Sequence, residues 1–213
     1  MARRVALCGV VRDAGSVSTP SSYRRSTGTA RGEARRQQLL ELVTEDLAEH
    51  GLTDFSLRRA ARAAGTTHKV LLYHFQSADD LLLQAVLRLR QRRIDQGLAA
   101  AVKGKTLAAR VRALWPVLVS EQARVLDQAI GLAMYDPARY QALGREASAQ
   151  YLPALLAICP PSWPQRRKLE VSELILGALR GFLIDARTSL DDRGIKAGFT
   201  ALSRALDREE TAE

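Results

Sequence analysis

Lys69 and Tyr73 stand four residues apart in a stretch, Ser56 to Phe75, that reads SLRRAARAAGTTHKVLLYHF. On a helix that spacing is about one turn, so the ammonium and the phenol share a face. With Leu71 as the inward reference, Thr67 and Phe75 fall on its side, Lys69 and Tyr73 opposite, and Val70 and Leu72 on the flanks. A short helix of this kind, beside a neighbour bearing Arg58, Arg59 and Arg62, suits a DNA major groove. Cations there meet phosphate and guanine, and apolar edges meet thymine methyls. The same pattern also fits two core helices with a solvated basic face.

Other chemistry finds little support. His50, His68 and His74 form no i,i+4 pair, and no HExxH or Ser-His-Asp constellation is present. His68 and His74 are six residues apart and lie on different faces of a helix. Cys8 and Cys159 make no CxxC and have no clustered histidines. No catalytic residue, metal site or cofactor is expected.

The elements that must position Lys69 and Tyr73 are readable locally. Ser56 can cap a helix by accepting from its free opening N–H groups. Leu57, Ala60, Ala61 and Ala64 give that helix a narrow apolar stripe. Gly65 follows where a left-handed residue would end it, and Thr66 or Thr67 can cap the next helix. Two short helices about a glycine turn make a helix-turn-helix plan.

The stretch resembles the DNA-binding domain of the TetR family of bacterial transcriptional regulators. The resemblance is carried by His50-Gly51, Phe55-Ser56-Leu57-Arg58, Ala61, Ala64-Gly65-Thr66-Thr67, Leu71, Tyr73-His74-Phe75, Ser77, Leu81 and Leu82. It covers about residues 33–83. It implies that Arg58 reaches a base or phosphate, and that Thr67, His68, Lys69 and Val70 open the recognition helix, where base edges are touched. Tyr73 would pack against thymine or phosphate, while His74 and Phe75 would join the motif to the next helix. Ser56 and Thr66 complete the DNA-facing set, with Arg35 and Arg36 near the start of the first helix as phosphate contacts. Many relatives carry polar or basic phosphate anchors where this chain has Val70, Leu72 and Ala78, which bears on affinity and operator rather than on fold.

The length of 213 residues permits a substantial core, and 46% hydrophobic with 26% charged residues describes a globular chain. The formal charge of +9 suits a polyanionic partner, and much of it lies in an arginine-rich segment, residues 1–32. That segment reads as a disordered basic extension. No apolar run is long enough for a membrane span, and a cytoplasmic location is expected.

From residue 33 the reading is all-α: a helix-turn-helix domain over residues 33–77, then a helical ligand-binding and dimerisation domain over 78–213, with about nine helices in all. The first helix is expected over Glu33–His50 and a long one over Ala78–Ala101, opened by Ser77 as cap with Asp79 and Asp80 behind it. Arg88, Arg90, Arg92 and Arg93 crowd this long helix and read as a solvated face. Further helices follow from Thr106 to Val119 with a kink near Pro116, from Glu121 to Tyr135, and from Pro137 to about Ile158. Two more close the chain, about 164–189 and 191–208. Gly177 and Gly181, one turn apart, suggest close helix packing. The resemblance implies a homodimer through these last two helices. The middle helices should enclose a mostly apolar pocket, with Trp115, Leu118, Met134, Tyr135, Tyr151 and Leu155 as larger candidates and Gln122 and Gln128 as polar ones.

The function expected is that of a ligand-responsive repressor which binds a palindromic double-stranded DNA operator as a dimer and is released by a small apolar effector. The alternative is a helical interaction protein whose DNA binding has weakened.

Overall fold

Thr29 starts the first helix. In the computed structural model, which describes residues 29–212, its hydroxyl accepts from the Gly32 N–H at 3.1 Å and opens α1 (Ala30–His50). The expected start at Glu33 is therefore three residues late: threonine is a good cap, and Glu33 sits in the first turn, where an acid is favoured. The rest of the expected basic extension, residues 1–28, lies outside the described residues.

α2 (Leu57–Ala63) begins as Ser56 Oγ accepts from the Arg59 N–H at 3.2 Å. It ends in a paired closure: the Gly65 N–H donates to Arg62 O at 3.1 Å and the Thr66 N–H to Ala61 O at 2.9 Å. That geometry needs a left-handed residue, and Gly65 supplies it with φ +58°. Thr67 then caps α3 (His68–His74), its Oγ1 accepting from the Val70 N–H at 3.4 Å. Seven residues are too few for either helix to persist alone, so packing must hold them. Arg59 ties α2 to α1, donating from Nε to Asp46 Oδ2 at 2.8 Å and from its other nitrogens to the Thr53 and Asp46 carbonyls.

Ser77 caps α4 (Ala78–Ala101), accepting from the Asp80 N–H at 3.0 Å. Thr106 caps α5 (Leu107–Val119), which carries Pro116 inside its last turns. A 3-10 turn (Glu121–Ala123) leads into α6 (Arg124–Tyr135). Asp136 caps α7 (Pro137–Ile158), with Pro137 at the first position, where its missing N–H costs nothing. The chain closes with α8 (Gln165–Thr188) and α9 (Arg193–Thr211). The described residues contain no strand.

Two apolar clusters hold these helices. The first joins Leu39, Val43 and Leu47 of α1 to Ala60, Leu71 and Phe75 of the two-helix motif, to Leu81 and Val86 of α4, and to Val125, Leu126 and Ala129 of α6. Leu71 is fully buried, which stabilises α3 by about 1.5–3 kcal/mol. The second cluster packs α5, the end of α7, α8 and α9 through residues such as Val111, Leu155, Ile175 and Leu206. α4 and α7 contribute to both.

The α4 arginines do not form a solvated face. Arg88 donates to Glu41 at 2.8 Å and to Gln37 at 2.6 Å, and Arg92 pairs with Glu41 and Glu45, so both clasp α1. Arg90 and Arg93 turn inward and are buried. A charge run alternating around a helix reaches two neighbours at once, and its partners lie 25 or more residues away along the chain. Gly177 and Gly181 have no close neighbour within this chain: a Cβ at either would meet nothing within 4 Å. The close approach of α8 and α9 is instead at Gly198, where a Cβ would lie 2.4 Å from the Phe182 ring.

His74, at the end of α3, has its Nδ1 sealed without a hydrogen-bond partner among the described residues. Burial, then the Arg35 and Arg36 charges, hold its pKa below the ordinary 6.5, against a smaller opposing effect of Glu33. The unfolded chain therefore takes up this proton more readily than the folded one. The contribution is fully present above pH 6.5 and is lost as pH falls through the depressed folded-state value. His74→Gln should flatten the fall in thermal midpoint between neutral pH and about pH 5. Gly65→Ala should cost about 1–2 kcal/mol in a urea titration, through backbone strain alone, because the added methyl meets no neighbour.

Candidate functional site

The outer surface of α2 and α3 carries Arg58, Arg62, His68 and Lys69, all exposed. None of their side chains has a hydrogen bond or ion pair among the described residues. Arg59, next to Arg58, is in contrast committed to Asp46. Val70 and Leu72 are exposed at 36% and 45%, giving the same helix two apolar edges. Ser56 and Thr67 spend their hydroxyls on caps, and Thr66 is half-buried in the turn. Tyr73 is half-buried, its ring edge-on to His74 at 5.0 Å. Arg35 is exposed and donates to Gln38 at 2.7 Å. Arg36 is held between helices: it pairs with Glu33 at 3.3 Å, donates to Gln84 and covers the Phe75 ring at 5.1 Å. The geometry thus leaves one basic, acid-free surface on the two-helix motif and turns Arg36 into a clip between α1 and α4.

A second feature lies among α4 to α8, a cavity of about 420 Å³. That volume suits a small organic molecule. Its lining is mostly apolar and includes Ile94, Leu98, Leu114, Ile130, Leu176 and Leu183. Among the residues expected in such a pocket, Leu118, Met134, Tyr151 and Leu155 line it. Trp115, Gln122 and Tyr135 do not. Trp115 stacks edge-on with Phe199 at 5.0 Å and Phe182 at 6.3 Å, binding α5 to α8 and α9. Tyr135 is 89% exposed, and Gln122 lies exposed in the 3-10 turn.

The polar part of the wall escaped sequence reasoning. Arg90, Arg93, Arg180 and Arg187 line the cavity together with one carboxylate, Asp127. Arg187 Nε donates to Asp127 Oδ2 at 2.9 Å, and its other nitrogens reach the carbonyls of Val119 and Ser120. Arg93 lies 3.8 Å from Asp127 Oδ1 and donates to Leu118 O at 3.1 Å. Arg90 donates to Gln150 and to Leu143 O, each at 3.0 Å, and is 1% exposed. Burial holds its guanidinium below the ordinary arginine value, with the Arg93 and Arg180 charges pushing the same way against Tyr151. The one signal available in the sequence was the arginine density of α4.

The two features share walls. α6 places Asp127 and Ile130 at the cavity, while Gln128 Oε1 accepts from the Leu52 N–H at 2.9 Å in the loop between α1 and α2. Gln128 therefore serves that loop and not the cavity. Gly51, with φ +70°, leaves the space it needs: a Cβ there would lie 2.8 Å from Gln128 Oε1. Arg139 of α7 makes a two-pronged pair with Asp79 of α4, both contacts at 2.9 Å.

No helix among the described residues is long and apolar enough to cross a membrane, and no group of His, Cys, Asp and Glu among them could hold a metal ion. No protein-family profile matches the chain, and no curated protein matches it significantly. Solved structures do. A protein assigned as a transcriptional regulator, SCO7518 from Streptomyces coelicolor A3(2), superposes with TM-score 0.62 at 21% identity, covering 81% of this chain and 98% of that one. A protein assigned to the TetR family from Mesorhizobium loti gives TM-score 0.60 at 15% identity over 84% of this chain and 96% of that one. The multidrug-binding protein EbrR, in complex with proflavin, gives TM-score 0.60 at 20% identity over 80% and 98%. Over about four-fifths of its length the chain has the all-α fold of the TetR-family transcriptional regulators.

Proposed function

We propose that this chain is a ligand-responsive DNA-binding regulator of the TetR family, acting in the cytoplasm as a dimeric repressor on a palindromic operator. The observation that carries the reading is the acid-free surface of α2 and α3, where Arg58, Arg62 and Lys69 stand exposed and unpaired among the described residues. Arginine and lysine held this way meet phosphates and guanine edges, while Val70 and Leu72 offer contacts to thymine methyls. Residues 33–77 form the reading unit in this scheme, and residues 78–213 hold the ligand and the dimer contact.

The dimer contact is assigned to the outer face of α8 with α9. Leu174, Gly177, Gly181 and Ile184 recur at helical spacing along that face, and Leu174 and Ile184 are 51% and 59% exposed. Two copies related by a two-fold axis would bury this stripe in a four-helix bundle. Their recognition helices would then address major grooves about 34–36 Å apart.

The switch follows from the shared walls. A ligand in the cavity touches α6 at Ile130 and Met134, and any movement of α6 is passed by Gln128 to the loop that precedes α2. DNA and ligand would favour different settings of α4 and α6, so each weakens the other's binding.

Selection of bound sequences from random DNA, followed by mobility shifts on the winners, tests the reading. Lys69→Ala and Arg58→Ala should each weaken binding by about 1–3 kcal/mol, and loss of a phosphate contact should reduce the salt slope by about one. Unchanged binding in both variants would sink the proposal. A response flat to salt with retained protein partners would favour a helical interaction protein. Gln128→Ala, which alters no residue of the basic surface, should lower operator affinity by about 0.5–2 kcal/mol by loosening the α1–α2 loop.

A further inference from the structure

The cavity among α4 to α8 is apolar in area but cationic in charge. Four guanidinium groups line it, and Asp127 is the one carboxylate among the lining residues. Asp127 is engaged at 2.9 Å by Arg187 and stands farther, at 3.8 Å, from Arg93. Among the described residues Arg90 and Arg180 have neutral partners: Gln150, Leu143 O and Tyr151 for the first and Ser148 Oγ for the second. Arg93 is 7% exposed, and its buried Nε has no acceptor among the described residues. A buried donor without a partner, in a wall with more positive than negative charge, is costly until an acceptor arrives. Arg90 and Arg93 also flank one aromatic ring, their guanidinium carbons 5.9 and 5.8 Å from the Tyr151 centroid, which brings like charges together.

We infer that the cavity takes an amphipathic anion, an apolar body carrying one carboxylate or phosphate head that Arg93 and its neighbouring guanidinium groups receive. The apolar lining from Ile94, Leu98, Ile130 and Leu176 holds the body, and the head supplies the acceptor that Arg93 Nε lacks. The inference rests on the reading of this cavity as an effector site, and it changes that effector from a neutral apolar molecule to a charged one. A cation such as proflavin, bound by EbrR, would meet here four guanidinium groups and one carboxylate already engaged by Arg187.

The test is calorimetric titration of the full chain with decanoate, decyl phosphate, decanol, decylammonium and proflavin, in parallel with mobility shifts on selected DNA. One of the two anions should bind roughly tenfold to hundredfold tighter than decanol, the worth of a charge-assisted hydrogen bond to a buried partner. Decylammonium should bind more weakly still. Arg93→Gln should abolish the preference for the anion over decanol while leaving decanol binding in place. Should that variant fold poorly, Arg180→Gln, which removes a single bond to Ser148, should reduce the same preference. Equal affinity for anion and alcohol, tighter binding of either cation, or binding of none of the five would overturn the inference. An anion that binds selectively yet leaves DNA affinity unchanged would uphold the anion site and remove the regulatory role. Release of DNA by decanol or proflavin, and not by either anion, would do the reverse.

Discussion

Four helices are tied together at the carboxyl end of α5. The helix stops at Val119, and the extended backbone of Ser120 leaves its last carbonyls without intrahelical partners. Arg93 from α4 takes Leu118 O, and Arg187 from α8 takes Val119 O and Ser120 O. Cations are favoured at a helix carboxyl end, so the arrangement satisfies the carbonyls and partly offsets the burial of charge. Asp127 from α6 then sits between the two guanidinium groups. Arg93, Asp127 and Arg187, which form this knot, also line the cavity.

Two of the helices in that knot, α4 and α6, run through both the motif's core and the cavity wall. α4 begins in the core beneath the two-helix motif, with Leu81, Leu82 and Val86, and continues into the cavity wall with Arg90, Arg93 and Ile94. α6 does the same around its circumference, Val125 and Ala129 facing the motif's core and Ile130 and Met134 facing the cavity. Packed interiors have low compressibility and transmit strain, so two regions that share such helices do not deform independently. The surface pair Arg139–Asp79 adds a further tie but, exposed on both sides, contributes little energy.

The parts of this design that rest on local rules were legible in the sequence. Ser56, Gly65 and Thr67 announce a cap, a left-handed turn and a second cap, and the structure has all three. Ser77, Thr106 and Asp136 likewise mark the starts of α4, α5 and α7. What could not be read depends on partners distant along the chain. The α4 arginines look alike in sequence, yet Arg88 and Arg92 meet α1 acids while Arg90 and Arg93 enter the cavity. Trp115 and Tyr135 are large enough to suggest a pocket, but their positions on α5 and α6 turn one toward Phe182 and Phe199 and the other to solvent. The roles of Arg58 and Arg59 divide for the same reason, since only Arg59 can reach Asp46.

Gly51 concentrates two demands on one residue. Its φ of +70° suits glycine, and the space beside its Cα is filled by the Gln128 amide. Any larger residue would both strain the backbone and eject the amide that joins α6 to the loop before α2. Under the proposed switch, a variant at this position would therefore be partly deaf as well as less stable. On that reading its phenotype in a living cell would combine a folding defect with an injury to signalling.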